Sequence, residues 1–197
     1  MLGAWAEMTT RIQFGPLVSA IRYRNPDLLA DIARTLDHVS GGRIILGVGS
    51  GFRRAEYEEY GFPFGGPGER VRQLEEGLKR IERRMGRLSP APTRKIPILV
   101  GGGGERKTLA VVARYADIWN TFAEGEDYAR KSRILDEHCA RIGRDPAQIE
   151  RSVLVAGDPQ AVGESLLANG ARLFILGLNP PYDLSEVQRW IVWRDRQ

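Results

Sequence analysis

Short apolar runs alternate with longer segments of helical apolar spacing along the chain. Runs rich in Val, Ile and Leu that end in glycine are typical of strands buried in a parallel sheet, and apolar residues repeated every three to four positions indicate helices. The alternation predicts six βα units. The predicted strands cover residues 11–19, 43–48, 98–100, 117–122, 149–156 and 172–178, and the predicted helices cover residues 26–39, 69–85, 127–142, 159–169 and 184–194, with one more over the stripe Leu109, Val112, Ala113 and Ala116.

Local signals mark where several of these elements begin and end. Asn25 before Pro26 is a favourable N-cap and first helical residue, and Gly41 and Gly42 are expected to end that helix. Residues 49–68 form a long predicted connection. The prolines between positions 90 and 97 exclude helix before the third strand.

Six βα units in tandem fit either a doubly wound open sheet or most of a (β/α)8 barrel. Composition does not decide between them. A barrel of eight units takes about 250 residues, so a barrel of 197 residues would be about two units short. We expect residues 1–197 to form a single domain, because no linker-like stretch divides them.

Composition and charge indicate which kinds of binding partner the chain is suited to. The chain is 42% hydrophobic and 27% charged, which is typical of a globular protein with a buried core. The net charge is +4, and basic and acidic residues are interleaved. We therefore expect no nucleic-acid partner. The densest basic run is Lys79, Arg80, Arg83, Arg84 and Arg87, which Glu82 interrupts, as on a solvated helix face.

The sequence also predicts where the protein works. Cys139 is the only cysteine, so no internal disulfide is possible, and nothing resembles a secretory signal. No apolar run approaches the roughly 20 residues that span a bilayer. We expect a cytoplasmic protein without a membrane partner. His38 and His138 lack a second ligand at metal spacing, so we predict no metal site.

Eight short stretches spread over the chain resemble the luciferase-like monooxygenase family, especially the branch that uses the deazaflavin coenzyme F-420 in place of FMN. Together they are specific, although each alone would be weak. The stretches are residues 10–18 (TRIQFGPLV), 23–26 (YRNP), 35–43 (TLDHVSGGR), 46–51 (LGVGSG), 59–64 (EYGFPF), 68–70 (GER), 97–104 (PILVGGGG) and 114–120 (RYADIWN).

The resemblance implies an α/β fold, an incomplete (β/α)8 TIM-type barrel with about six βα units. It implies that residues 1–8 are the end of the second unit's helix, so that the first quarter of the barrel is absent. The segment 86–92 is shorter than the family's usual insertion. It further implies a non-proline cis peptide on the first strand, which we place at Leu17–Val18, against the cofactor ring.

The glycine run Gly101, Gly102, Gly103 and Gly104 is the main candidate site. A glycine-rich turn between a strand and a helix N-terminus presents several backbone amides to a phosphate. Arg106 stands in the turn that follows. The alternative is a turn that needs glycine only for its dihedral angles. Neither a Walker A motif, which requires a second glycine at Arg106, nor a Rossmann fingerprint fits these residues.

Two further strand ends are candidate cofactor contacts. Gly49, Ser50 and Gly51 would let a flat ring approach the backbone, or they form a plain turn between strand and helix. Trp119 could stack on a ring and Asn120 could hydrogen-bond to it, although core packing of Trp119 is the stronger interpretation.

These residues support three hypotheses. The first is an oxidoreductase that uses FMN or coenzyme F-420 and transfers a hydride to or from a small organic substrate. Of the two cofactors, F-420 is favoured. The second is a non-catalytic, degenerate or partial barrel that binds a flavin weakly or not at all. The third is a chain whose open edges pair with another chain, so a homodimer is expected. No residue is a convincing catalytic acid or base, and we assign none.

Overall fold

Six short parallel strands, each followed by a helix, run through the computed structural model, which describes every residue from Met1 to Gln197. The six predicted βα units are therefore present. Contacts divide the chain into two compact units, the first comprising Met1–Gly101 with Tyr115–Asp117 and the second comprising Gly102–Arg114 with Ile118–Gln197.

In the first unit, three strands pair in parallel in the order β1-β2-β3. Ser19 lies opposite Val48, and Gly49 lies opposite Gly101, so the strands end close to the same level. The elements are α1 (Leu2–Met8), β1 (Ser19–Ala20), α2 (Pro26–Ser40), β2 (Leu46–Gly49), α3 (Arg54–Glu59), α4 (Pro67–Met85) and β3 (Ile98–Gly101).

The first strand is much shorter than the predicted residues 11–19, and this part of the prediction is wrong. Only Ser19–Ala20 forms a strand, and Phe14 adds a single parallel bridge to Ile44. Pro16 has no N–H to donate to a ladder. The chain between Phe14 and Ser19 is therefore held without regular strand pairing.

The predicted boundaries of α2 are confirmed. The Asn25 side chain accepts from the Asp27 amide at 2.9 Å, and Gly41 ends the helix with a left-handed φ of 63°. The predicted connection 49–68 contains α3, which was missed because only Tyr57 of its six residues is buried.

Helix α4 packs closely within the first unit. A Cβ on Gly77 would lie 2.4 Å from the Ile21 side chain, so only glycine permits this approach. Part of the basic run is paired with α2, because Arg80 donates to Asp27 and Arg84 donates to Asp31. The hydrogen bond from Arg84 lowers the pKa of Asp31 below its usual value.

In the second unit, three strands pair in parallel in the order β4-β5-β6. Its strands and helices lie within a few residues of the predicted bounds. None of the helices of the chain has the length and apolar character needed to cross a membrane. The elements are α5 (Thr108–Tyr115, whose last residue belongs to the first unit), β4 (Ile118–Thr121), α6 (Gly125–Arg141), β5 (Glu150–Val155), α7 (Pro159–Ala168), β6 (Leu173–Leu176) and α8 (Ser185–Arg194).

Candidate functional site

The glycine run is anchored at Gly102 from two sides within the second unit. The Gly102 amide donates to the carbonyl of Asn120 at 2.9 Å, and the indole Nε1 of Trp119 donates to the Gly102 carbonyl at 2.8 Å. Gly102 has a φ of 142°, which L side chains rarely adopt. The end of β4 thus determines the path of the run.

The next two glycines lie against side chains that would crowd any larger residue. A Cβ on Gly104 would lie 2.7 Å from Thr108 Oγ1, at the start of α5. A Cβ on Gly103 would lie 3.1 Å from Thr121 Oγ1 and 3.4 Å from Lys131 Cε. Two hydroxyls and a lysine side chain therefore surround the run, a set suited to a phosphate.

Trp119 and Asn120 point to opposite sides of β4. Trp119 is fully buried and stacks on Tyr128, with ring centroids 5.8 Å apart and planes 12° apart. The Asn120 amide donates to Ser152 Oγ on β5 at 2.9 Å. Trp119 therefore supports the glycine run from the core, and its ring, which is fully buried, has no exposed face on which a cofactor could stack.

Burial raises the pKa of Tyr128 to about 12, and its hydroxyl has no hydrogen-bond partner. Because this pKa lies above the ordinary value of 10, the neutral phenol contributes stability below pH 10 that is lost as the pH rises towards 12. We expect Tyr128→Phe to keep or raise the unfolding temperature at pH 7 and to flatten its fall between pH 10 and 12, as measured by circular dichroism.

The exposed Tyr60 offers a matched control. Tyr60→Phe should leave the alkaline fall in unfolding temperature unchanged. An equally steep fall in Tyr128→Phe and in the unsubstituted protein would show that the pKa of Tyr128 in the folded chain is not raised above its value in the unfolded chain.

The structure has the predicted cis peptide at Leu17–Val18, in the first unit. The Val18 side chain fills the space beside the strand glycines. A Cβ on Gly49 would lie 2.7 Å from Val18 Cγ2, and a Cβ on Gly101 would lie 3.1 Å from Val18 Cγ1. The two glycines therefore accommodate Val18, and a ring that approaches the first unit here would meet Val18 before bare backbone.

Ser50 and Gly51 form a turn that two unpredicted residues hold. The Tyr57 hydroxyl donates to the Ser50 carbonyl at 3.4 Å, and Arg70 Nε donates to the Gly51 carbonyl at 3.0 Å. Gly51 has a φ of 77°, and a Cβ there would lie 2.1 Å from the Tyr57 oxygen. Arg70 also lies over the ring of Phe64 at 4.0 Å. Only the resemblance of residues 59–64 and 68–70 to the family pointed to this part of the chain.

Arg106 and the two histidines lie outside the hydrogen-bond network of the glycine run. Arg106 is exposed, two residues before the start of α5 at Thr108. His38 and His138 each contact a backbone carbonyl at 2.8 Å, of Ala91 and Glu105 respectively. No group of three or more His, Cys, Asp or Glu side chains is placed to hold a metal ion.

The candidate site residues fit the phosphate of a flavin-type cofactor better than they fit its ring. The glycine run combines the start of a helix, the Thr121 hydroxyl and the Lys131 side chain in one place. The strand glycines of the first unit instead accommodate Val18. Thr121 and Lys131 were missed from the sequence because no spacing relates them to Gly103.

The chain belongs to the luciferase-like monooxygenase family, whose sequence profile matches residues 1–175. An uncharacterised protein of Mycobacterium tuberculosis is 32% identical over 161 residues, which are 73% of this chain and 56% of that protein. The family consists of oxidoreductases and monooxygenases with small-molecule substrates.

Two solved structures are similar in fold. One is an F-420-dependent secondary alcohol dehydrogenase in complex with an F-420–acetone adduct, with a TM-score of 0.71 and 20% identity over 95% of this chain and 64% of that chain. The other is a type II Baeyer–Villiger monooxygenase of Pseudomonas putida in complex with FMN, with a TM-score of 0.62 and 18% identity over 80% of this chain and 53% of that chain.

These similarities confirm the predicted α/β fold, that of an incomplete (β/α)8 barrel with six βα units. The chain spans about half to two thirds of the length of the proteins it matches. One structural neighbour binds F-420 and the other binds FMN, so the neighbours do not distinguish the two cofactors.

Proposed function

We propose that this chain binds FMN or the deazaflavin coenzyme F-420 and belongs to an oxidoreductase that transfers a hydride between that cofactor and a small organic substrate. The observation that carries the proposal is the anchored glycine run, in which Trp119 and the Asn120 carbonyl hold Gly102 beside the start of α5. Family membership supports the same chemistry.

The second unit would hold the phosphate end of the cofactor. The amides of Gly103 and Gly104 follow the anchored Gly102, and the hydroxyls of Thr108 and Thr121 lie beside them. Backbone amides near a helix N-terminus attract an anion through hydrogen bonds and the helix dipole. Arg106 adds a positive charge at the surface of the same turn.

In the first unit, Leu17 and Val18 remain the residues that the family resemblance proposes for contact with a cofactor ring. The Leu17 side chain is 44% exposed, and Val18 presents an apolar surface that packs on Gly49 and Gly101. A bound flavin or deazaflavin supplies the ring position that accepts or donates the hydride. The protein's part would be to orient the ring and to exclude water from it.

A fluorescence and absorbance titration with FMN and with F-420 tests this proposal. We expect saturable binding of one of them to the purified chain. Gly103→Leu should weaken binding about tenfold or more, because the new side chain would occupy the space between the run, Thr121 and Lys131. The cofactor that binds more tightly identifies the branch of the family.

Gly177→Leu is the matched control, because nothing lies within 4 Å of a Cβ at this exposed glycine of the same unit. It should bind the cofactor as the unsubstituted chain does. If neither cofactor binds to the unsubstituted chain, the alternative of a non-catalytic barrel replaces this proposal.

We also propose that the protein acts as a homodimer in the cytoplasm, with residues 1–197 as one domain. Leu28, Ile32 and Val39 are 53%, 37% and 49% exposed and form one apolar stripe on α2, which a second copy of the chain could cover. Light scattering during the titration gives the mass that tests the dimer. A single cooperative unfolding transition would support one domain.

A further inference from the structure

Lys131, on α6, lies beside the glycine run although 28 residues separate it from Gly103 along the chain. Its Cε and Cδ would lie 3.4 and 3.5 Å from a Cβ on Gly103. The Lys131 side chain is only 18% exposed. The lysine stem is thus packed against the open side of the Gly103 backbone, with its charged end held near the run.

One carboxylate positions this ammonium. Asp127, one helical turn earlier, accepts from Lys131 Nζ. The hydrogen bond from Lys131 is the main reason that the pKa of Asp127 lies below its usual value, so the carboxylate is charged at neutral pH. An ammonium carries three donors, and Asp127 accepts one of them, so donors remain for a second acceptor.

Asp127 is also shared with a second cation. Arg130 donates to Asp127 and, at 2.8 Å, to Glu105 in the turn that follows the glycine run. The negative charge of Asp127 is therefore divided between Arg130 and Lys131. This division leaves Lys131 less completely neutralised than in an isolated ion pair.

The Thr121 hydroxyl provides an independent observation at the same place. Thr121 is 97% buried, and its Oγ1 accepts from the Ala123 amide at 3.3 Å while it lies 3.1 Å from a Cβ on Gly103. Its own proton is donated to no acceptor in the chain. A buried hydroxyl that can donate and a lysine with spare donors thus converge on one glycine, which fits an oxyanion.

We propose that Lys131 is the cationic ligand of the cofactor's phosphate and that it makes the site selective for phosphorylated flavins or deazaflavins over phosphate-free ones. Thr121 donates a second hydrogen bond to the same phosphate, and Asp127 orients the Lys131 side chain by accepting a hydrogen bond from its ammonium. This assignment rests on the proposed function and adds the residue that distinguishes the two classes of ligand.

The test compares ligands that carry the phosphate with ligands that lack it; FMN and riboflavin differ in the phosphate alone. Dissociation constants are measured by fluorescence for FMN against riboflavin, and for F-420 against its phosphate-free 5-deazariboflavin core. We expect Lys131→Gln to weaken binding of the phosphorylated member of the pair about tenfold and to leave the phosphate-free member within about twofold. Circular dichroism checks that the variant is folded.

Asp127→Asn separates a binding role from a structural ion pair. If Lys131 serves the phosphate, removing its carboxylate partner leaves the ammonium free, and phosphate-bearing ligands bind as tightly as before or tighter. If the pair only stabilises α6, Asp127→Asn and Lys131→Gln weaken binding alike. Lys79→Gln is the control, because Lys79 forms the same kind of i,i+4 pair with Glu75 on α4.

The outcomes distinguish this inference from the proposed function. If the unsubstituted chain binds FMN and riboflavin equally, or if Lys131→Gln weakens both equally or neither, the assignment of Lys131 is overturned while cofactor binding stands. If the unsubstituted chain binds none of the four ligands, both proposals are overturned.

Discussion

Gly47→Ala should strongly destabilise the first unit. Gly47 lies in the fully buried strand β2, and a Cβ there would be 1.8 Å from the Pro16 carbonyl oxygen and 3.4 Å from Val18 Cγ1. The clash is with backbone, so relief requires residues 16–18 to move away from β2. We expect a loss of at least about 4 kcal/mol, seen as insoluble protein or as a fall of about 10 °C or more in the unfolding temperature.

Gly3→Ala is the control for this substitution. Gly3 lies in α1, and nothing is within 4 Å of a Cβ at that position. Alanine favours helix over glycine by about 1 kcal/mol, so Gly3→Ala should leave the unfolding temperature unchanged or raise it. A soluble Gly47→Ala protein that unfolds at the unsubstituted temperature would mean that the approach of Pro16 to β2 is looser than the structure shows.

Trp119→Ala and Trp119→Phe should have different effects on stability and on cofactor binding. Trp119 is fully buried against Tyr128, so the alanine variant loses about 3 to 5 kcal/mol of stability. Phenylalanine keeps most of the packing but leaves the Gly102 carbonyl without the indole donor that lies 2.8 Å away. The loss of this hydrogen bond should lower the free energy of unfolding by about 1 to 2 kcal/mol. Because Gly102 begins the turn that we propose binds the phosphate, we expect Trp119→Phe to weaken FMN binding several-fold.

Thermal unfolding and the FMN titration measure the two effects separately. Trp5→Phe is the control, since Trp5 is 44% exposed in the first unit. It should leave both quantities unchanged. If Trp119→Phe binds FMN as the unsubstituted chain does, the indole hydrogen bond to Gly102 serves stability alone.

Much of the fold could be predicted because the signals are local. The apolar stripes of α2 and α4 and the glycine-ended runs of β2 and β3 recur at the spacing of helices and strands, whatever lies around them. The cap at Asn25 and the stop at Gly41 depend on neighbouring residues only. The first strand was overestimated because its pairing depends on how Pro16 meets β2.

The candidate site could be predicted only in part. The glycine run was found because a glycine-rich turn between strand and helix is a continuous sequence signal. Core packing of Trp119 was the stronger interpretation of the sequence, and in the structure the ring is fully buried and stacks on Tyr128. Gly49 was chosen for a ring to approach and Gly101 for a phosphate, and the structure shows Val18 against both.

The sequence by itself determined the βα alternation, the helix ends and the family resemblance, since each is written in residues near one another or in their order. Only the tertiary structure decided which residues surround the glycine run. Lys131 and Thr121 reach Gly103 because α6 and the end of β4 pack beside it, and no periodicity encodes a contact between side chains so far apart in the chain. The physical reason is that such contacts depend on how the elements pack, whereas each element depends mainly on its own pattern.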